Sequence, residues 1–241
     1  MLQSVKDQVI IITGGSSGYG KATAKLLAEA GAKVIITGRD EKTLAQTVAE
    51  IGGIEAFRAD ATRWEDWQKL YAFVMAKHGR VDILVNNAGG GVAIANTVDQ
   101  EVAVVVEIIA LNLNSVVYGS MAFGQQMRAQ RSGTIINISS ACATEAWPGF
   151  SVYAAAKSGV VTLSKGMYTE LRPFGVRVTA VIPGAGATNF SKNAGLAEPP
   201  TPFLLKPEDM AEVILHICRM PQHIEIEEYR FWGTDQEVIP M

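Results

Sequence analysis

Residues 8–20 read QVIIITGGSSGYG, an apolar β-branched run from Gln8 to Ile12 that opens directly into Thr13-Gly14-Gly15-Ser16-Ser17-Gly18-Tyr19-Gly20. A strand followed by a glycine-rich turn and then helical periodicity brings backbone amides and a helix N-terminus to one point, where a pyrophosphate can sit. Taken alone, such a turn also serves as a plain tight connection between a strand and a helix. The rest of the chain decides between the two.

Outward from this turn the pattern repeats. Short β-branched runs at Lys33–Thr37, Glu55–Arg58, Ile83–Val85, Gly133–Ile138, Arg177–Ile182 and Ile224–Phe231 alternate with longer helical segments. With Gln8–Ile12 these make seven strands in consecutive βαβ units, which predicts an α/β fold with a doubly wound parallel sheet covered on both faces. The first helix is expected from about Gly20 to Ala30, ending at Gly31, and others near Glu41 and Trp64. A long helical pair should cover Thr97 to Gln130, a further helix Ser151 to Leu171 before Pro173, and a last one should start at Pro207.

At 241 residues and 48% hydrophobic, the chain has enough apolar material for one large core without disulfides. No repeat or linker divides it, so residues 1–241 are read as one domain. The part up to about 138 is expected to bind a cofactor, and the part from about 139 to carry catalytic and substrate-binding residues, without forming a separate domain. A net charge of −3 without a dense Lys/Arg run argues against nucleic acid or anionic lipid as partners. Cys142 and Cys218 have no metal-type spacing, so no metal site is expected. The polar N-terminus and the brevity of the first apolar run make a cytoplasmic protein the expectation.

Most distinctive residues follow strand ends. Arg39 comes after the second strand, Asp60 and Ala61 after the third, and Asn86-Asn87-Ala88-Gly89 close the fourth. Ser139 and Ser140 follow the fifth strand, Pro183 and Gly184 the sixth. In a parallel sheet those ends share one edge, where open α/β folds bind ligands. Tyr153 and Lys157 lie one turn apart near a helix start and so share a face. A free tyrosine has a pKa of about 10, and an adjacent ammonium would lower it.

Together these residues resemble the short-chain dehydrogenase/reductase family, in its compact single-domain form, over nearly the whole chain. TGGSSGYG is similar to that family's T-G-x-x-x-G-x-G pattern, NNAG to its sheet-stabilising motif, and Tyr153-Ala-Ala-Ala-Lys157 to its Y-x-x-x-K signature. Ser140, thirteen residues before Tyr153, resembles the family's serine, and Asn112 in LNLNS its helix asparagine. Ser139 and Asn114 are their rivals, set aside on the family's spacing. The resemblance implies a Rossmann fold with strand order 3-2-1-4-5-6-7 and a carbonyl–alcohol oxidoreductase.

By the same resemblance, Tyr153 would act as general acid or base and Ser140 would orient the substrate oxygen. Lys157 would lower the tyrosine pKa and hold the nicotinamide ribose, and Asn112 would anchor a water leading to Lys157. Gly14, Ser16, Ser17, Gly18, Tyr19, Gly20, Asn87, Ala88, Gly89, Pro183 and Gly184 would line the cofactor. Asp60 and Ala61 would meet the adenine, and Thr188 the carboxamide. Arg39, where NAD-preferring relatives usually carry an acid, favours NADP(H) over NAD(H).

Cys142, Trp147, Phe150 and Phe190, with Phe203, are expected to wall the substrate pocket. The loop from Pro183 to Pro207 reads as irregular and short for a full lid, so an open site is expected. Homotetramers or homodimers are expected through the long helices, with Phe231, Trp232, Val238 and Ile239 of the C-terminal tail as further contacts. The alternatives are an NAD-preferring dehydrogenase, an epimerase or dehydratase on the same scaffold, and a nucleotide sensor without enzymatic activity. Such sensors typically lack the tyrosine or the lysine, and both are present here.

Overall fold

The computed structural model describes residues 2–145, 147–196 and 204–236. Phe203, Val238 and Ile239 lie outside them. Seven parallel strands form one sheet: β1 (Val9–Thr13), β2 (Lys33–Gly38), β3 (Glu55–Arg58), β4 (Ile83–Asn86), β5 (Gly133–Ile138), β6 (Val176–Pro183) and β7 (Glu228–Phe231). Their spatial order is β3-β2-β1-β4-β5-β6-β7, the doubly wound arrangement expected.

The pleat explains the alternation of apolar residues within each strand. Ile10, Ile12, Val34, Ile36, Ile136 and Ile138 face one core, packed with Ala24 and Leu27 of α1 (Gly18–Glu29) and Ile214 and Ile217 of α8 (Pro207–Arg219). Ile11, Ile35, Leu84, Ile135 and Val178 face the other. That second core contains Trp67 and Leu70 of α3 (Trp64–His78) and Phe123 and Met127 of α5 (Ser115–Gln130).

Local chemistry sets the element ends. α2 (Glu41–Ile51) starts where Asp40 accepts from Thr43 N at 2.6 Å, an N-cap. α6 (Ser151–Leu171) passes into a 3-10 turn at Arg172–Phe174, because Pro173 has no N–H with which to continue it.

Three expectations need correction. β7 begins at Glu228 rather than Ile224, because the Glu225 carboxylate, not a neighbouring backbone, accepts from Val178 N at 3.2 Å. The helical pair does not begin at Thr97: residues Thr97–Asp99 form a 3-10 turn and α4 (Val102–Ile109) follows. Between α4 and α5 the residues Ala110–Asn114 wind as a π-turn, a form that concentrates at functional sites. The Pro183–Pro207 loop is not irregular throughout. It holds α7 (Phe190–Asn193), and Gly186 bridges to Leu205.

The helical stretch Val102–Gln130 is long and apolar enough to cross a bilayer on length and composition alone. In the fold it flanks the sheet, burying Phe123 and Met127 in the core shared with β4 and β5.

Candidate active site

At the C-terminal edge of the sheet, the turn after β1 is tied to the segment after β4. Thr13 Oγ1 accepts from Asn87 N at 3.0 Å and from Ala88 N at 2.9 Å, and Asn87 Nδ2 donates to Thr13 O at 2.8 Å. Gly14 holds φ +64°, a region L side chains rarely adopt. At Gly20 a Cβ would overlap the carbonyl oxygen of Gly14 and approach Asn87 Nδ2 to 2.6 Å. The glycines therefore bring the start of α1 flush against the strand ends.

Ser17, the residue before α1, makes no side-chain cap bond, and the first turn carries no acidic residue. Its backbone N–H groups face outward as an anion-binding end. These residues fit a dinucleotide's pyrophosphate.

Beneath the site, a chain of buried amides joins three elements. Asn86 Nδ2 donates to Asn137 Oδ1 at 2.8 Å, and Asn137 Nδ2 donates to Ser164 Oγ of α6 at 2.9 Å. Asn137 is fully buried and was missed in the sequence reading. Its signal was a lone amide in the otherwise apolar interior of strand GTIINI.

Tyr153 and Lys157 lie in the first turns of α6, 7% and 3% exposed. Lys157 Nζ donates to Ile138 O at 2.9 Å and lies 5.8 Å from the centre of the Tyr153 ring. Asn112 is fully buried in the π-turn. Its Nδ2 donates to Gly90 O and Ile108 O, and its Oδ1 accepts from Gly90 N. Both amide hydrogens are thereby committed to backbone, leaving Oδ1 as the side-chain atom with acceptor capacity for the expected water. A Cβ on Gly89 would lie 3.1 Å from both Asn112 Oδ1 and Lys157 Nζ, so these two groups meet across the backbone after β4.

Ser140 Oγ accepts from Cys142 N at 3.2 Å and lies close enough to the Tyr153 phenol to act on its ionisation. Ser139 turns away: its Oγ is buried and donates to Lys157 O at 2.8 Å.

Burial pushes the Tyr153 phenol above its ordinary value, the Cys142 thiol adds to the rise, and the nearby Ser140 hydroxyl opposes it. Burial also pulls Lys157 down to about 8. The expected depression of the tyrosine by the lysine is therefore absent from this arrangement. Loss of water around the phenol is the largest cause, and Lys157 is itself desolvated and held by a carbonyl.

An aromatic cluster closes over the phenol. Phe190 of α7 stands 5.2 Å from Tyr153 edge to face, and Phe150 stacks on Phe190 at 6.3 Å. A Cβ on Gly91 would meet Ala194 at 2.5 Å, so α7 sits directly on the segment after β4. Cys142 adjoins the phenol, while Trp147 lies half-buried in the turn before α6, its carbonyl accepting from Phe150 N.

At the far end of the crevice, Arg39 is exposed just past β2, and Asp40 beside it turns back to cap α2. Ser16 Oγ lies 3.3 Å from the position a Cβ would take on Gly38, placing Ser16 beside the Arg39 corner. Asp60 keeps its strand-end place, with Oδ1 accepting from Thr62 N and Oγ1; Ala61, next to it, passes its carbonyl to Trp67 Nε1.

Pro183 ends β6, Gly184 N donates to Phe231 O, and Ala185 N donates to Gln236 Oε1 at 2.8 Å. That tail contact was missed, since nothing local to either residue announces it. Thr188 Cγ2 comes 3.4 Å from the position of a Cβ on Gly18, which lays this loop against the glycine turn. Among the described residues no cluster of potential metal ligands occurs.

The family model for short chain dehydrogenases matches residues 8–199. An uncharacterised oxidoreductase of Staphylococcus saprophyticus subsp. saprophyticus is 34% identical over 229 residues, 93% of this chain and 96% of that protein. Among solved structures, the closed form of a serine dehydrogenase complexed with NADP+ superposes with a TM-score of 0.92 at 27% identity, covering 97% of this chain and 98% of the other. A 3-ketoacyl-(acyl-carrier-protein) reductase from Brucella melitensis complexed with NADH gives 0.87 at 30% identity, covering 96% and 99%. The chain therefore belongs to the short-chain dehydrogenase family of oxidoreductases.

Proposed function

We propose that the protein interconverts a carbonyl and an alcohol with a nicotinamide dinucleotide, NADP(H) being preferred, and that Tyr153 carries the proton. The observation that carries this reading is the convergence of a buried phenol, a buried amine and a buried amide at the strand ends beside the glycine turn. When bound, the dinucleotide supplies or accepts the hydride.

During reduction, the Tyr153 phenol gives its proton to the substrate oxygen, and Ser140 Oγ donates a hydrogen bond to the same oxygen. The upward shift keeps the phenol protonated at neutral pH, the form that donates. Lys157 Nζ reaches the cofactor ribose from its place on Ile138 O, with Asn112 fixing Gly90 beside it. Phe150 and Phe190 exclude water from the reacting oxygen and select an apolar substrate.

The neighbours described above bind NADP+ in one case and NADH in the other. What tips the choice here is Arg39. Its guanidinium suits a 2′-phosphate, and the carboxylate next to it in sequence, Asp40, is committed to Thr43.

The outer face of the Val102–Gln130 helix and α6 is the surface proposed for a second copy, giving a dimer or tetramer. Val102, Val106 and Met121 are exposed there, and a groove of about 310 Å³ runs between Met121, Gly124, Leu163 and Met167.

The test is nicotinamide absorbance with NADPH and NADH across aldehydes, ketones and 3-oxoacyl compounds. Oxidation of NADPH with at least one carbonyl class is expected. Epimerase or dehydratase chemistry would give product without net absorbance change.

A further inference from the structure

The ladder between β6 and β7 runs out at Gly184, whose N donates to Phe231 O, the last residue of β7, at 2.8 Å. At the next residue a side chain stands where a strand would: Ala185 N donates to Gln236 Oε1 at 2.8 Å. A backbone donor past a strand end needs an acceptor, and an amide side chain meets it with its oxygen. Gln236 arrives there because the chain turns after β7, with Gln236 N donating to Gly233 O at 3.0 Å. The amide lies flush with the strand end, since a Cβ on Gly184 would overlap Gln236 Oε1 and come 3.0 Å from Cε3 of Trp232.

Ala185 is also the base of the loop that follows. Its carbonyl accepts from Leu205 N at 2.9 Å, and Ala187 N donates to Leu205 O at 2.9 Å, so both ends of the loop are tied beside the Gln236 contact. Along it, a Cβ on Gly186 would overlap the Tyr19 phenol, Thr188 stands against Gly18, and Ala194 sits on Gly91. Phe190 meets Tyr153 edge to face at 5.2 Å. Thr188 and Phe190 follow the tied amide by only three and five residues. With two soft dihedrals per residue, the bearing of the backbone at Ala185 governs where both side chains fall.

Resting on the function proposed above, we propose that Gln236 is a positioning residue for the reaction. Its amide oxygen, standing in for a strand, fixes the backbone at Ala185, and through it the placement of Thr188 against the glycine turn and of Phe190 over the Tyr153 phenol. Tyr153 and Lys157 stand on α6, a separate element, so this bond acts on binding rather than on the proton step.

The test uses the full-length protein and two variants. Gln236→Met keeps the length and loses the amide oxygen, while Gln236→Glu keeps an oxygen acceptor at the same reach. NADPH affinity by fluorescence titration, steady-state reduction of a carbonyl that the wild type accepts, and the thermal midpoint are measured for each. In Gln236→Met the carbonyl KM and the NADPH dissociation constant are each expected to rise about tenfold, the scale of one lost hydrogen bond, with kcat within about threefold. Gln236→Glu should stay within about twofold of wild type in both constants, because the acceptor is retained.

A lowered midpoint in Gln236→Met with unchanged KM and affinity would make Gln236 a purely structural residue and overturn the inference. Equal losses in both variants would overturn it too, since the acceptor would then not be what matters. Either result leaves the proposed function standing. A wild-type protein that binds neither dinucleotide would overturn the proposed function, and this inference with it.

Discussion

Lys157 Nζ donates at 2.9 Å to the carbonyl oxygen of Ile138, the last residue of β5, while standing 5.8 Å from the centre of the Tyr153 ring. One buried amine thus holds the strand end while standing within cation–π range of the phenol ring. Because the lysine is nearly water-free, its charge is costly, and the fold tolerates that cost only in return for what the ammonium does at this edge.

This gives a pH dependence with a definite sign. Burial lowers Lys157 from its ordinary 10.5 to about 8. Between those values the unfolded chain binds a proton that the folded chain does not, so stability rises with pH across the window. Below about 8 the full penalty applies, on the order of 3 kcal/mol. Lys157→Met should therefore be the more stable form at pH 7, and its advantage should shrink between about pH 8 and 10.5. Urea midpoints of both proteins across that range check it; parallel curves would contradict the assignment.

Arg39 is exposed beyond β2 with Asp40 turned away to cap α2. Arg39→Asp is expected to lower the NADPH-over-NADH ratio of kcat/KM by about tenfold or more, the loss of a charge-assisted contact replaced by repulsion. Steady-state kinetics with both dinucleotides measure the ratio, and an unchanged value would show that Arg39 does not read the phosphate.

Thr13 is the tie between the glycine turn and the segment after β4, accepting from two backbone amides through one hydroxyl. Thr13→Val strands both donors and should cost on the order of 3 kcal/mol. Thr13→Ser, which keeps the hydroxyl, should recover most of it. Chemical denaturation of the pair distinguishes a hydrogen-bonding role from mere packing.

Most of the strand pattern was legible because β-branched runs such as Val9–Ile12 and Lys33–Thr37 carry their own period and end in glycine or polar residues. Tyr153 and Lys157 were legible for a similar local reason, since one helical turn sets both on one face. What escaped depends on contacts distant in sequence. The π-turn at Asn112 is held in part by Gly90, β7 is shortened where Glu225 meets Val178, and Tyr19 interlocks with Gly186. Burial decided the tyrosine's ionisation against the expectation drawn from its lysine neighbour, and burial is not a property of spacing.

The most direct measurement compares wild-type protein with Tyr153→Phe, following NADPH oxidation against a reducible carbonyl alongside dinucleotide affinity by titration. Turnover is predicted to fall by about a hundredfold or more, the usual scale of general-acid catalysis, while affinity stays within about twofold. A Tyr153→Phe protein that retains most of its turnover would contradict the assignment of this phenol as the proton carrier.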